Sequence, residues 1–207
     1  MPVLGITGGV ACGKTTFVAE LREHFTKATW FCADTEVERL TSEDTEVRES
    51  IAKLFGMDAF KGDGTYNREH VRKLIFADSS QRQRLNEILH PKVRENWLRL
   101  ANSHRAADCW LFLEIPLLYE TGSEVHCDRV IAVGCTPETQ MQRLTTLRGL
   151  PRDLAEQIRA TQWNLQEKSN RADHLIWNDC PSLKRQTAAC AAWLINHYAR
   201  VRTPSGA

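Results

Sequence analysis

Gly8-Gly9-Val10-Ala11-Cys12-Gly13-Lys14-Thr15 begins seven residues into the chain. It matches the Gly-x-x-x-x-Gly-Lys-[Ser/Thr] pattern of a phosphate-binding P-loop in full. Glycines let such a backbone curl tightly and bring its N–H groups against phosphate oxygens, with no Cβ in the way. Lys14 supplies a mobile charge for β- and γ-phosphates, and Thr15 a hydroxyl for Mg²⁺. The loop opens a helix, whose N-terminal N–H groups and dipole favour an anion. Gly9, Ala11, Cys12, Gly13, Lys14, Thr15 and Thr16 are therefore the expected nucleotide cradle. Upstream, Pro2 to Ile6 reads as a short buried strand. Downstream, Thr15 to Leu21 reads as a helix with Phe17 and Leu21 on one face. Strand, loop and helix in that order are the context the motif requires, and the ligand it implies is a nucleoside triphosphate.

A chain of 207 residues suits one domain with a subdomain grafted on. Its net charge of +1 gives no general attraction to nucleic acid or to a membrane surface. The seven cysteines show no zinc spacing and no C-x-x-C pair, as expected of reduced thiols in an intracellular protein. The apolar start runs directly into the P-loop, so no signal peptide is expected. Trp110 to Tyr119, the longest apolar stretch, is broken by Glu114 and Pro116 and is too short to span a bilayer. These features predict a cytoplasmic protein, a monomer or small homo-oligomer without nucleic-acid or membrane partners.

Working outward, Thr29 to Cys32 is a second strand, and Asp34 falls just beyond it, at the edge where open α/β sheets bind ligands. Asp34 is open to two readings, a catalytic carboxylate or the N-cap of the following helix. Residues 44–107 read as helices: Val47, Ile51, Leu54 and Phe55 recur at helical spacing, as do Val71, Leu74 and Ile75. The same holds for Leu85, Ile88 and Leu89, then Val93, Trp97, Leu100 and Ala101. Gly56 to Gly64 is a loop, Asn67 and Ser79 or Ser80 are candidate caps, and Pro91 is expected to break one helix and start the next. Cys109 to Glu114 is a third strand whose terminal acid fits a Walker B role toward Mg²⁺. Arg129 to Val133 and His174 to Trp177 are the fourth and fifth. Between them, Thr136 caps a helix begun by Pro137 and carrying Gln140, Arg143 and Arg148 up to Gly149. Leu154, Ile158 and Gln162 mark another helix, and Ser182 opens the last.

Five strands alternating with helices predict an α/β P-loop NTPase sandwich: a five-stranded parallel sheet covered on both faces. The expected core is 1–43 with 108–200, the helical, substrate-covering subdomain 44–107, and the lid 140–165. A P-loop alone does not choose among GTPase, motor, ATPase and kinase. The guanine signature Asn-Lys-x-Asp is missing. Arg143 and Arg148 beside Gly149 fit a lid that closes over a transferring phosphoryl group and excludes water. They equally fit a solvated helix face. Cys12 is either a small packing residue or a thiolate favoured by the helix N-terminus and Lys14.

Read together, the motifs resemble the dephospho-coenzyme A kinase family. The matching pieces are Ile6 to Gly9, Gly13 to Thr15, Ala33-Asp34, Arg68 ahead of Val71 to Phe76, and Leu89-His90-Pro91. Further on come Glu114 to Glu120, Gln140 with Arg143, Leu144 and Arg148, then Gln162, Lys168, Ala172-Asp173, Ile176 and Asn178. They occur in family order over residues 3–179. The family usually has Gly-Ser where this chain has Ala11-Cys12, and Gly where it has Cys180. The resemblance implies transfer of the ATP γ-phosphoryl to the ribose 3′-hydroxyl of dephospho-CoA. It implies Lys14, Asp34 and Arg143 as catalytic residues, and Asn178 near the adenine. Thr7, Asp34, Arg68, His90, Leu117 and Glu120 are implied on the acceptor side, with Thr15 and Glu114 toward Mg²⁺. His90 could instead pack before Pro91, and Glu120 could fix its own turn. The alternatives are another P-loop nucleoside or nucleotide kinase, or a non-kinase nucleotide switch.

Overall fold

Short apolar strands alternate with helices along this chain, and in the computed structural model, which describes residues 2–104, 109–179 and 182–202, they form one sheet. The strands are β1 (Val3–Gly8), β2 (Thr29–Cys32), β3 (Leu111–Glu114), β4 (Arg129–Gly134) and β5 (His174–Trp177), in the order β2-β3-β1-β4-β5. β1 pairs in parallel with β3 and β4, and β4 with β5. Every residue of β1 is buried, as the central strand of a sheet covered on both faces must be.

Side chains alternate across a strand, and the two faces of β1 and β4 meet different helices. Leu4, Ile6, Ile131 and Val133 pack against Phe17 and Leu21 of α1 (Lys14–His24) and Cys190 and Leu194 of α9 (Leu183–Arg202). On the other face, a Cβ at Gly134 would lie 2.7 Å from Leu165, the first residue of α8 (Leu165–Arg171). The remaining helices are α2 (Ala33–Glu43), α3 (Thr45–Phe55), α4 (Arg68–Ala77), α5 (Ser79–His104), α6 (Pro137–Gln142) and α7 (Arg152–Ala160).

The chain divides into two compact units, residues 1–31 with 103–207 and residues 32–102. The second is helical and includes α2, which the sequence pattern leaves with the core. Within it, Asp44 and Asn67 cap α3 and α4 by accepting from Val47 N–H and His70 N–H. The loop at 56–64 is closed by a bridge between Phe60 and Tyr66 and by Arg48, which donates to Gly64 O at 2.8 Å.

Three local expectations are corrected. Asp78, not Ser79 or Ser80, accepts the Ser80 N–H at the start of α5, at 2.8 Å. Asp34 is not a cap: α2 begins at Ala33 with Cys32 as its N-cap residue, and Asp34 sits in the first turn. Pro91 does not break a helix, since α5 runs through it. An interior proline costs about 3 kcal/mol. Leu85, Leu89, Val93 and Trp97 form one buried stripe across the proline, each worth roughly 1.5–3 kcal/mol, and the stripe wins. The segment between β4 and β5 also differs in detail. α6 ends at Gln142 and continues as a π-helical turn over Arg143–Leu147, and α8 follows as a separate helix. Cys180 and residues 105–108 lie outside the described residues.

Candidate active site

The P-loop is held open by its glycines and braced from outside. A Cβ at Gly8 would lie 2.2 Å from Val133 O, so only glycine lets β1 pass that close to β4. Gly13, the N-cap of α1, has φ 86, and a Cβ there would meet Asn178 Nδ2 at 2.1 Å. Ala11 is the one described non-glycine residue with positive φ, at 57. A left-handed conformation at an L-residue costs about 1–2 kcal/mol, so the loop needs support.

That support comes through the loop's carbonyl groups. Lys14 Nζ donates to Gly8 O and Gly9 O at 3.3 and 3.2 Å. Gln140 Nε2 donates to Val10 O at 2.9 Å, Arg143 to Ala11 O at 3.1 Å, and Asn178 Nδ2 to Cys12 O at 2.9 Å. Each such bond nets about 0.5–1.5 kcal/mol, more from a charged donor, enough together to hold Ala11 in place. Five successive carbonyls, Gly8 to Cys12, are engaged in this way. Four other helices, α3, α4, α6 and α8, have a side-chain cap. α1 has neither a cap bond nor an acid in its first turn. An uncapped, acid-free helix start behind a glycine-rich loop is built for phosphate.

Around this cradle the same unit places most of the other expected residues. Thr15 and Thr16 are exposed in the first turn of α1. Glu114 ends β3 in register with Ile6 of β1 and is buried. Thr7 donates its hydroxyl to Pro116 O at 3.0 Å, and Leu117 follows in the turn after β3. Glu120 accepts Trp163 N–H at 2.9 Å and pairs with Lys168 at 2.8 Å, so its carboxylate fixes the turn to the segment after α7. Arg143 spans Ala11 O and Asn178 O (2.7 Å to the latter), whereas Arg148 is exposed. The solvated-face reading therefore holds for Arg148 and fails for Arg143.

Asp34, Arg68 and His90 belong to the helical unit. Arg68 pairs with Glu38 of α2 at 2.9 Å, one helical turn from Asp34. Asp34 is exposed and its carboxylate makes no hydrogen bond or ion pair among the described residues. His90 lies on the exposed side of α5.

Cys12 is a packing residue on its side-chain end. Its thiol is fully buried, 3.5 Å from the buried Cys135 thiol, and accepts from Gln140 Nε2 at 3.4 Å. The Cys135 hydrogen bond, aided by Lys14's charge, lowers the pKa of the Cys12 thiol, while the same contact and burial raise that of Cys135. Access outweighs thiolate character here. Iodoacetamide should label the partly exposed Cys32, Cys109 and Cys127 well before Cys12. Peptide mass spectrometry over a time course checks this, and early labelling at Cys12 would reinstate it as a reactive thiol.

Gln140 and Gln162, partners of the binding loop, and Lys168, partner of the turn after β3, are not singled out by helical spacing alone, because polar residues there read as solvated. Gln162 Oε1 accepts Val10 N–H at 2.9 Å, and Lys168 is 0 % exposed. A cleft of about 1060 Å³ lies beside the loop, lined by Gly9, Gln140, Gln162 and Trp163 among others.

Comparison with known proteins agrees with this arrangement. Residues 2–183 match the family model for dephospho-CoA kinase. A dephospho-CoA kinase of Symbiobacterium thermophilum is 37% identical over 194 residues, 93% of this chain and 80% of the relative. One from Albidiferax ferrireducens is 38% identical, over 87% of this chain and 85% of the relative. A crystal structure from Thermus thermophilus superposes with a TM-score of 0.73 at 27% identity, covering 93% of this chain and 96% of that one. The fold is also that of the Campylobacter jejuni dephospho-CoA kinase, with a TM-score of 0.64 at 20% identity, covering 93% of this chain and 97% of that one. Since one family model spans nearly the whole chain, P-loop included, the protein belongs to the dephospho-CoA kinase family.

Proposed function

We propose that this protein transfers the γ-phosphoryl group of ATP to the ribose 3′-hydroxyl of dephospho-CoA, giving CoA. The observation that carries the reading is the braced P-loop, with Lys14 and Arg143 converging on it, in a chain of this family. Phosphoryl transfer needs positioning and charge stabilisation more than covalent help. Lys14 and Arg143 supply positive charge where negative charge develops, and the first turn of α1 supplies aligned dipoles. Asn178, whose side chain closes against Gly13, bounds the cradle on the side assigned to the adenine.

The acceptor side rests on the family resemblance. Asp34 takes or orients the hydroxyl proton, while Arg68 and His90 face the acceptor, with Thr7, Leu117 and Glu120 shaping the turn after β3. Thr15 and Glu114 offer a hydroxyl and a carboxylate, oxygen donors that suit the hard cation Mg²⁺. A Mg²⁺ held by Thr15 and Glu114 would supply positive charge to offset that of the phosphates. Among the described residues no helix is long and apolar enough to cross a membrane, which fits a cytoplasmic enzyme acting on a small molecule, as monomer or small homo-oligomer.

The direct test measures ADP release with ATP alone, then with dephospho-CoA, and identifies the product by mass spectrometry. Acceptor-dependent release and a product heavier by one phosphoryl group are expected. Release that ignores the acceptor would leave a nucleotide switch, and release only with nucleosides or nucleotides another P-loop kinase. Arg143→Lys tests the lid arginine, because Lys lacks the planar fork that spans two carbonyls. Its kcat should fall about 10²-fold, the lower end of what losing one preorganised donor costs. Unchanged turnover would return Arg143 to a replaceable surface role.

A further inference from the structure

The tip of the P-loop is gripped at both polar groups of a single residue. Val10 N–H donates to Gln162 Oε1 and Val10 C=O accepts from Gln140 Nε2, each at 2.9 Å. The two glutamines flank the lid. Gln140 sits in α6 just before the π-helical turn, and Gln162 follows the end of α7. They reach the loop across 130 and 152 positions of sequence. Primary amides are suited to this, since each offers a donor and an acceptor without charge. A carboxylate or an ammonium at either place would add charge beside the triphosphate.

Gln162 is a fixed hand because its neighbours are anchored. Trp163 N–H donates to Glu120 Oε1, and the Trp163 ring stacks on Tyr119 with planes 7° apart. Arg171 lies over the same indole at 4.6 Å. The fully buried Lys168 joins Glu120 and donates to Pro116 O at 3.0 Å, the carbonyl that also accepts from Thr7. One short stretch, residues 162–168, thus holds the P-loop tip and the turn after β3. The loop has a reason to need it: Ala11, next to Val10, is held in a conformation that favours glycine.

We propose that Gln140 and Gln162 are positioning residues for phosphoryl transfer: their side-chain amides clamp the Val10 peptide groups and fix the P-loop tip to both ends of the lid. Neither is placed on substrate. They act through the loop, whose amides must meet the phosphates in a set geometry, and small displacements there cost rate. Because both hold one residue, a tip gripped by one hand is nearly as loose as a tip gripped by none.

The inference rests on the kinase reading for its assay, and the experiment separates the two. Gln140→Met, Gln162→Met and the double variant keep side-chain size and remove the amides. Steady-state kinetics with ATP and dephospho-CoA, affinity for a fluorescent ATP analogue and thermal melts are measured on all four proteins. Each single variant should lose about tenfold in kcat, equivalent to ~1.4 kcal/mol. KM for dephospho-CoA should stay within about twofold and the melting temperature within a few degrees. The double variant should be no more than about twofold worse than the poorer single one, as for groups that act as a unit. Wild-type-like kcat in the single variants overturns the clamp, and so do losses that multiply in the double variant. A wild-type protein inert toward dephospho-CoA would overturn the kinase reading instead. The clamp is then judged on nucleotide affinity alone: weakened, sub-additive binding upholds it and unchanged binding removes it.

Discussion

Lys14→Ala should give a folded protein whose phosphoryl transfer is lower by ~10³-fold, the upper range for loss of one preorganised group acting on developing charge. Lys14 is half-buried, and its ammonium sits against Gly8 O and Gly9 O, where no other cation of the loop can substitute. Arg143, which also bonds the loop, is already committed to Ala11 O and Asn178 O. The lysine lies outside the apolar cluster that holds α1 to the sheet, so that packing should be kept. Gly8 and Gly9 are buried, so releasing their carbonyls costs about as much as two hydrogen bonds to a charged donor, and the melting temperature should fall by several degrees while the protein stays folded at assay temperature. The measurement is kcat/KM for ATP beside a thermal melt. A folded variant with near-normal turnover would remove the P-loop from the chemistry.

Why the cradle was legible and its bracing was not follows from sequence distance. The pattern Gly8 to Thr15 is local, and each fixed residue has a task set by its neighbours in the chain. The strands were legible for a related reason, since a run such as Leu111-Phe112-Leu113, buried on both faces, needs no partner to be recognised. Pro91 shows the opposite case. The local rule reads a break, but the rule cannot weigh a stripe of side chains buried on either side of it. As a cap, Asp34 was misplaced by two positions, because the helix starts at Ala33 and its capping position falls on Cys32. Gln140 and Lys168 are polar residues on helices and Gln162 one just past a helix end, and for such residues exposure is the ordinary expectation. Only tertiary structure brings them to the P-loop and the turn after β3, and Asn178 reaches Cys12 O across 166 positions. The resemblance carried those residues as motif letters without telling what they touch.

Asp34→Asn should lower kcat by ~10²–10⁴, the range for loss of general-base assistance, while leaving KM for ATP and the fold nearly unchanged. The substitution keeps size and hydrogen-bonding capacity and removes only the charge. Its effect on stability is bounded by structure: Asp34 is exposed, caps nothing, and pairs with nothing among the described residues. What remains is its place in the first turn of α2, where a carboxylate favours the helix dipole by about 0.3–1 kcal/mol. For a protein of this size that shifts a melting temperature by at most ~2–4 °C. A loss of rate of a hundredfold or more therefore cannot come from unfolding at assay temperature, and would place the carboxylate in the reaction. Initial rates across ATP and dephospho-CoA concentrations, normalised to folded protein by circular dichroism, separate the two contributions. If kcat per folded molecule is unchanged, Asp34 is a helix-dipole residue and the proton of the acceptor hydroxyl leaves by another route.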